Sequence, residues 1–437
     1  MPFAQDHYPF DNQAIFQEHF PADFIVEYTG QLRGWFYYLH LLSVALFGAP
    51  AFKNVVVHGV MIGNDGRKMS KSFSNYPDPR PTIEKYGAEA LRLDFMSSKI
   101  MRGEDTKISE PDIQEASRLI KILHHVLGYF VLYAPPGDRR PSSDFVPKSI
   151  LDRWIVSRLQ QTINLIDRGL TDFNFVAAAG AIRPFVEDLS TWYIRRNRDR
   201  FVKGEEEVVA TMSFVLEKFA LAIAPILPFS AEYIWRSLGS ESSVHLADFP
   251  SVDEGAVTRS ADLMTKMGVI RELASVSHQR RAEANLPLRQ PLAKLFLSGC
   301  DWLNSELEWR DILIDEVNVK EVVFSSGPLD DIDESWTPVA GGALRLDTKL
   351  TSELLAEGRK RELIRLVQDA RKKAGAQQGQ LVDVSYFTTD KELASIVKES
   401  AVTLGRELNI RQFRAFDSAG ELSEVATGFF ISVRLLD

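Results

Sequence analysis

The stretch Val55 to Ser72, reading VVVHGVMIGNDGRKMSKS, constrains the chain more than any other. Val55, Val56, Val57, Val60, Met61 and Ile62 make a short apolar, β-branched run that suits a buried parallel strand, and Asn64-Asp65-Gly66 is a turn signal that ends it. Lys68 and Lys71 therefore belong to a loop at a strand's end, with Ser70 and Ser72 beside them. Paired ammonium groups with small hydroxyl donors suit a di- or triphosphate whose charge shifts during a reaction. Lysine and serine are also common in solvated loops, and a bare Lys-x-x-Lys would be read that way. The whole pentapeptide after an apolar strand and an Asp-Gly turn favours phosphate. Within the run, Gly59 would let a purine approach the backbone closely, while His58 by itself reads as a satisfied buried histidine rather than a catalyst.

Lys68-Met69-Ser70-Lys71-Ser72 resembles the second signature of class I aminoacyl-tRNA synthetases. Upstream, Glu27-Tyr28-Thr29-Gly30-Gln31-Leu32-Arg33-Gly34-Trp35-Phe36, following Phe20-Pro21-Ala22-Asp23, resembles the amino-acid site of the isoleucyl members, in their eukaryotic-like branch. The likeness is sharp from Pro2 to Pro79. It is looser in Trp192 to Arg198, in Leu286 to Leu292 and in Asn318-Val319-Lys320. Two family features have no counterpart: no His-x-Gly-His tetrapeptide occurs, and the large editing insertion is missing. The resemblance therefore implies the C-terminal part of a synthetase, beginning downstream of both. Gly30 stands where many bacterial members carry aspartate, so no ribose contact is carried over to it.

With 437 residues and roughly 100–200 residues per domain, about two to four domains are expected. A net charge of −9 argues against a protein that coats nucleic acid indiscriminately, yet tRNA needs only a local basic face. Cys300 is the one cysteine, which excludes an internal disulfide and leads us to expect no zinc site. Met1 to His7 lacks a basic segment followed by an apolar one, and no apolar stretch is long and unbroken enough to span a bilayer. A soluble, cytoplasmic protein without a membrane partner is expected.

Glu27 through Leu46 reads as one mostly buried helix, with Leu32, Trp35, Phe36, Leu39, Leu42 and Leu46 at helical spacings. Gln31 and Trp35 would then share a face that either lines an amino-acid pocket or packs as core. Thr82 caps a helix through Phe95. From about Pro111 the texture changes to long amphipathic helices at 111–132, 149–168, 174–201, 206–224 and 230–238, separated by short connections, as in a helical bundle. Trp192-Tyr193 precede Arg195, Arg196, Arg198 and Arg200, which spread over more than one helix face. Guanidinium groups beside aromatics suit RNA, and a solvated, internally paired face fits them as well. A helix at about 260–284, strands at Leu292–Leu297, Val317–Phe324 and Val382–Phe387, and helices at about 350–374 and 389–405 make the last part α+β. Arg371 and Lys372 end one of these helices, where they either touch RNA or complement the helix dipole.

The fold class expected is α/β, the C-terminal part of a Rossmann-type catalytic domain, followed by an α-helical bundle and a small α+β domain. The divisions are 1–110, 111–255 and 256–437, and the resemblance gives the bundle to anticodon-stem recognition. It implies an isoleucine–tRNA ligase using ATP with Mg2+, isoleucine and tRNA(Ile), dependent on an N-terminal synthetase polypeptide. ATP would meet Gly59, Val60, Met61, Lys68, Ser70, Lys71 and Ser72. Lys71 would be the first catalytic group on the phosphates and Lys68 its helper. Glu27, Gln31 and Trp35 would hold the aminoacyl adenylate, and Arg195, Arg196, Arg371 and Lys372 would face tRNA. Two other readings compete: a stand-alone RNA-binding protein descended from a synthetase, and a valyl-type synthetase.

Overall fold

The computed structural model describes residues 5–63, 65–69, 72, 75, 79–135, 145–251, 254–325, 336–339, 341–377, 379–420, 422–426 and 428–436. It is helix-rich, mixed α/β with small sheets. The chain divides into two compact units, Met1–Met264 and Thr265–Asp437.

In the first unit, β1 (Ala22–Tyr28) and β2 (Phe52–His58) pair in parallel with Tyr28 opposite His58. The crossover between them is a 3-10 turn, Thr29–Arg33, and helix α1, Trp35–Phe47. The expected helix from Glu27 to Leu46 is corrected here. Its first part is strand and turn, and of the helix only Phe36, Leu39 and Ser43 are buried. Gly30 and Gly34 make helix costly there, and pairing with Val57 and His58 gives Glu27 and Tyr28 the hydrogen bonds a helix would have offered. The expected strand over Val55 to Ile62 also divides. It breaks at Gly59-Val60, after which the short β3 (Met61–Ile62) pairs with β4 (Thr106–Lys107), away from β2. Nor is the run buried throughout: Val56 is, whereas Val55 is 44% exposed.

The expected helix from Thr82 to Phe95 is two, α2 (Pro79–Tyr86) and α3 (Ala88–Ser97), because Gly87 takes a φ of 90° between them. Next come α4 (Glu110–Tyr133), α5 (Ile150–Thr171), the short α6 (Phe175–Gly180), α7 (Ile182–Glu187) and α8 (Arg198–Val202), then α9 (Glu206–Ile223) and α10 (Pro228–Ser237), and of these α4, α5, α9 and α10 lie close to their expected places. Ser109 and Ser149 cap α4 and α5 by accepting from the N–H groups of Asp112 and Asp152. The single helix expected over 174–201 is interrupted, and a π-helical segment, Asp188–Ile194, lies within it. That segment turns Tyr193 into the core, where its hydroxyl donates to Asp152 at 2.7 Å while Arg200 bonds the other Asp152 oxygen at 2.8 Å. Asp152 and Tyr193 are wholly buried, so each polar atom has a partner where water cannot supply one.

One helix serves both sides of the Pro225 to Pro228 break between α9 and α10. Glu89 of α3 accepts from the N–H groups of Phe229, at 2.7 Å, and Ser230, and from the Ser230 hydroxyl, at the start of α10. Arg92, one turn on, donates to the carbonyls of Pro225 and Ile226, each at 2.9 Å.

The second unit holds most of α11 (Ala261–Glu283), then two four-stranded sheets. The first, in order β6-β5-β8-β7, contains β5 (Leu292–Gly299), β6 (Val319–Ser325), β7 (Thr337–Val339) and β8 (Gly342–Leu346), with helix α12 (Leu307–Val317) crossing from β5 to its parallel neighbour β6. After α13 (Ser352–Lys373) comes the second sheet, in order β10-β9-β12-β11. It comprises β9 (Val382–Thr388), β10 (Ile410–Ala415), β11 (Ser423–Ala426) and β12 (Phe429–Leu435), with α14 (Lys391–Glu407) between the parallel β9 and β10. Arg281 is fully buried and donates to the carbonyls of Gln290, Val317 and Asn318. Burial pushes its guanidinium down to about 10, so it stays charged at neutral pH and ties α11 to the edge of the sheet.

Replacing Glu89 by alanine should leave the buried donors at the start of α10 unmet and cost about 2 kcal/mol or more. Urea unfolding followed by circular dichroism reads the loss, and Glu89→Gln, which keeps an acceptor, should lose less.

Candidate functional site

The lysine loop is stitched to the strand that precedes it. Lys68 forms an antiparallel bridge with Ile62, and the Met69 N–H donates to the Met61 carbonyl at 3.2 Å. The turn between them closes through Gly63 N–H to Arg67 O at 2.7 Å, and Gly66 occupies a left-handed φ of 78° that glycine adopts without strain. Asp65 organises this turn. It accepts from the Asn75 amide at 3.0 Å and the Arg67 N–H at 3.0 Å, and its other oxygen pairs with Arg67 Nε at 2.8 Å. The Asn75 amide, then the Arg67 N–H, hold its carboxyl down at about 2.

Lys68 thereby reaches the carboxyl end of β1, where its ammonium lies 4.2 Å from the centre of the Tyr28 ring. Tyr28 also neighbours His58, with ring centres 6.5 Å apart. His58 is satisfied locally, its Nδ1 lying 2.8 Å from the Gly59 carbonyl. Gly59 is pressed on the segment before β4: a Cβ there would lie 2.0 Å from the Glu104 carbonyl oxygen. The chain's own backbone makes that close approach. Val60 donates to Asp105 Oδ1 at 2.8 Å and accepts from Thr106 at 3.0 Å, and Met61 pairs with Thr106 in the sheet. Ser72 is exposed. Ser70 and Lys71 lie outside the described residues.

Glu27 sits one residue before Tyr28, half-buried, its carboxylate accepting from the Tyr28 N–H at 2.8 Å. Gln31 lies in the 3-10 turn rather than on α1. Its carbonyl oxygen accepts from the Trp35 N–H at 2.7 Å and so caps a helix whose N-cap residue, Gly34, has no side chain to do so. Trp35 is 41% exposed at the first turn of α1. A side chain at Gly30 would run into the Tyr28 ring. The structure thus brings Lys68, Tyr28 and Glu27 to one end of the parallel pair. Sequence reasoning missed Tyr28 and Asn75. Tyr28 was assigned to a helix, and nothing local marks Asn75 as the partner of a turn ten residues earlier.

A family model described as tRNA synthetases class I (I, L, M and V) matches residues 1–109, and one described as anticodon-binding domain of tRNA ligase matches residues 152–296. An isoleucine–tRNA ligase of Nocardia farcinica is 34% identical over 502 aligned residues, covering 99% of this chain and 47% of that one. That of Corynebacterium efficiens is 41% identical over 330 residues, covering 75% and 31%. That of Chlamydia pneumoniae is 38% identical over 336 residues, covering 74% and 32%. The chain belongs to the class I tRNA synthetases. This synthetase chain spans less than half the length of these relatives.

The synthetase's arginines have differing surroundings. Arg195 donates to the Thr191 carbonyl at 2.8 Å and lies 6.0 Å from the Trp192 ring centre. Arg196 follows it, both just beyond the π-helical segment. Arg371 forks onto the carbonyls of Gln380, at 2.7 Å, and Asn409, at 3.2 Å, binding the end of α13 to the second sheet. Its neighbour Lys372 is exposed.

Because the Asp65 carboxyl is held below its ordinary value, its contacts are complete above about pH 4 and are lost as pH falls toward about 2. Carbon-detected NMR titration should place the Asp65 midpoint near 2, and Asn75→Ala should move that midpoint upward.

Proposed function

We propose that this chain is the C-terminal part of an isoleucine–tRNA ligase, in which an N-terminal synthetase polypeptide completes the site. The isoleucine carboxylate attacks the α-phosphate of ATP, which carries its Mg2+, pyrophosphate departs to leave the aminoacyl adenylate, and a hydroxyl of the terminal ribose of tRNA(Ile) then takes the aminoacyl group as AMP leaves. The observation that carries this reading is the seat of Lys68 beyond the carboxyl ends of two parallel strands, where α/β sheets bind nucleotides. An exposed cation over a ring gains only about 0.5–1 kcal/mol. Charge growing on a departing pyrophosphate competes easily with that, so Lys68 can leave Tyr28 for the phosphates as the transition state forms. Lys71 takes the larger share, with Ser70 and Ser72 supporting the loop, and Gly59, Val60 and Met61 form the wall toward the nucleotide. Glu27 holds the ammonium group of the adenylate, with Gln31 and Trp35 at the side-chain pocket. A pocket alone separates isoleucine from valine by about 1–3 kcal/mol, so editing falls to a part outside this chain. The isoleucine relatives favour this reading over a valyl enzyme or a stand-alone RNA-binding protein.

In the same reading, residues 1–110 are the end of a Rossmann-type catalytic domain, 111–255 a bundle that receives the anticodon stem, and 256–437 an α+β domain. Arg195, Arg196 and Lys372 are its tRNA contacts, whereas the Arg371 fork is taken up by the carbonyls of Gln380 and Asn409. The protein works in the cytoplasm; no described helix is long and apolar enough to cross a membrane.

ATP–pyrophosphate exchange driven by isoleucine tests the proposal, first with this chain alone and then with the N-terminal polypeptide. Exchange should appear only on addition, and Lys71→Ala should lower it about 100-fold, the usual cost of removing one donor to developing charge. Lys68→Ala should lower it less. Exchange by the chain alone would overturn the requirement for a second part, and unchanged exchange in the Lys71 variant would overturn its role.

A further inference from the structure

A cavity of about 570 Å³ opens in the second unit between the end of α11 and the first sheet, and Arg280, Phe296, Arg345, Asp347 and Lys349 are among its lining residues. That volume is in the range of small-ligand sites. Its chemistry centres on Arg345. The guanidinium lies 4.5 Å from the Phe296 ring centre and 5.4 Å from that of Trp336. Its Nε is shielded from solvent and meets no acceptor. Among the described residues no carboxylate lies in ion-pair range of Arg345, although burying a donor without a partner costs about 1–3 kcal/mol.

The other charged groups of the cavity differ. Arg280 is committed, donating to Thr337 Oγ1 at 2.6 Å and to Glu283 at 2.7 Å. Lys349 is exposed and its ammonium has no carboxylate partner among the described residues. Among the described residues Asp347 accepts only from the Lys349 backbone N–H, at 3.1 Å, which leaves its second oxygen for a donor. A guanidinium whose face is covered by aromatic rings still offers its edge to an acceptor, and Arg favours two parallel bonds to phosphate. A carboxylate beside it accepts from an exocyclic amino group of a base. Cation edge, aromatic faces and one acceptor together are the means by which unstacked RNA bases are held.

The geometry points to this cavity as the seat of one unstacked nucleotide of a single-stranded RNA segment, its phosphate on Arg345 and Lys349 and its base toward Asp347 and the aromatic rings. The cavity is independent of the lysine loop. Only the identity of the strand, as part of a tRNA, rests on the synthetase reading.

Fluorescence anisotropy with the whole chain and a seven-nucleotide oligoadenylate provides the test, with AMP and heptaglutamate as competitors. Isoleucine and ATP are left out, so failure of adenylate exchange would not bear on the result. Lys349→Ala, an exposed change that should leave thermal unfolding unaltered, should weaken oligonucleotide binding at least fivefold. It should also reduce the slope of log affinity against log salt by about 0.7, the share of one phosphate on a single strand. Arg345→Lys, which keeps the charge and loses the fork and the stacking, should weaken binding by a similar factor. Oligonucleotide binding unchanged in both variants would overturn the assignment. So would AMP binding that both variants lose while the oligonucleotide binds as before, which would mark a free-nucleotide site. Competition by heptaglutamate as effective as that by AMP would reduce the cavity to a general anion site and overturn it as well.

Discussion

The arrangement of the first unit depends on how α3 resolves the break between α9 and α10. A helix end leaves carbonyls without donors, and the next helix start leaves N–H groups without acceptors. Here both fall together around Pro225 to Ser230, and Glu89 and Arg92, on one face of α3, meet one set each. Because these bonds join segments more than 130 residues apart in sequence, they fasten the helices to the part of the chain that carries the strands. The effect continues outward. Lys99–Arg102 follow α3, the Ile100 carbonyl accepts from the Gly59 N–H, and Asp105 and Thr106 hold Val60. The base of the lysine loop is therefore set by a helix cap some distance away.

What is fixed at the base rests lightly at Lys68. β3 is held on one side by β4 and on the other by the bridge to Lys68, and the turn is closed by Asp65 with Asn75 and Arg67. Lys68 itself is exposed and rests on Tyr28 through a contact of small energy. A group that must bind more tightly as charge develops than before it gains from such a gradient. A rigid hinge keeps the ammonium near its destination, and a shallow seat does not hold it back.

The long helices were legible because their signals are local. Ser109 before Glu110-Pro111, Ser149 before Ile150 and Thr351 before Ser352 are caps that can be read from neighbours alone, and each caps a helix in the structure. The turn at Asp65-Gly66 was legible for the same reason. Errors arose where the partner is distant. Leu32, Trp35, Leu39, Leu42 and Leu46 have helical spacing, yet Glu27 and Tyr28 are strand because Val57 and His58 lie alongside them. At Gly59, likewise, nothing local tells that an added side chain would meet a carbonyl forty-five residues later. The short β7, β8, β10, β11 and β12 were not read at all, since three- to seven-residue strands gain their identity from the sheet rather than from their own periodicity.

Arginines show the same limit in its sharpest form, because a sequence gives the charge and not what receives it. Arg280 and Arg281 are adjacent at the end of α11 and have opposite fates. One rotates outward to Glu283 and Thr337, and the other is fully buried on four backbone carbonyls. Arg371, read as a possible RNA contact, is a clasp between α13 and the second sheet. In each case the fork is filled by the fold, and the residue is accounted for by stability. Arg345 differs, since its faces are covered while its shielded Nε meets no acceptor. Covering a cation's face without supplying its edge is unfavourable for a protein considered alone. It becomes favourable once an acceptor arrives from outside, so the unfilled fork, rather than the density of positive charge, distinguishes a binding arginine from a structural one.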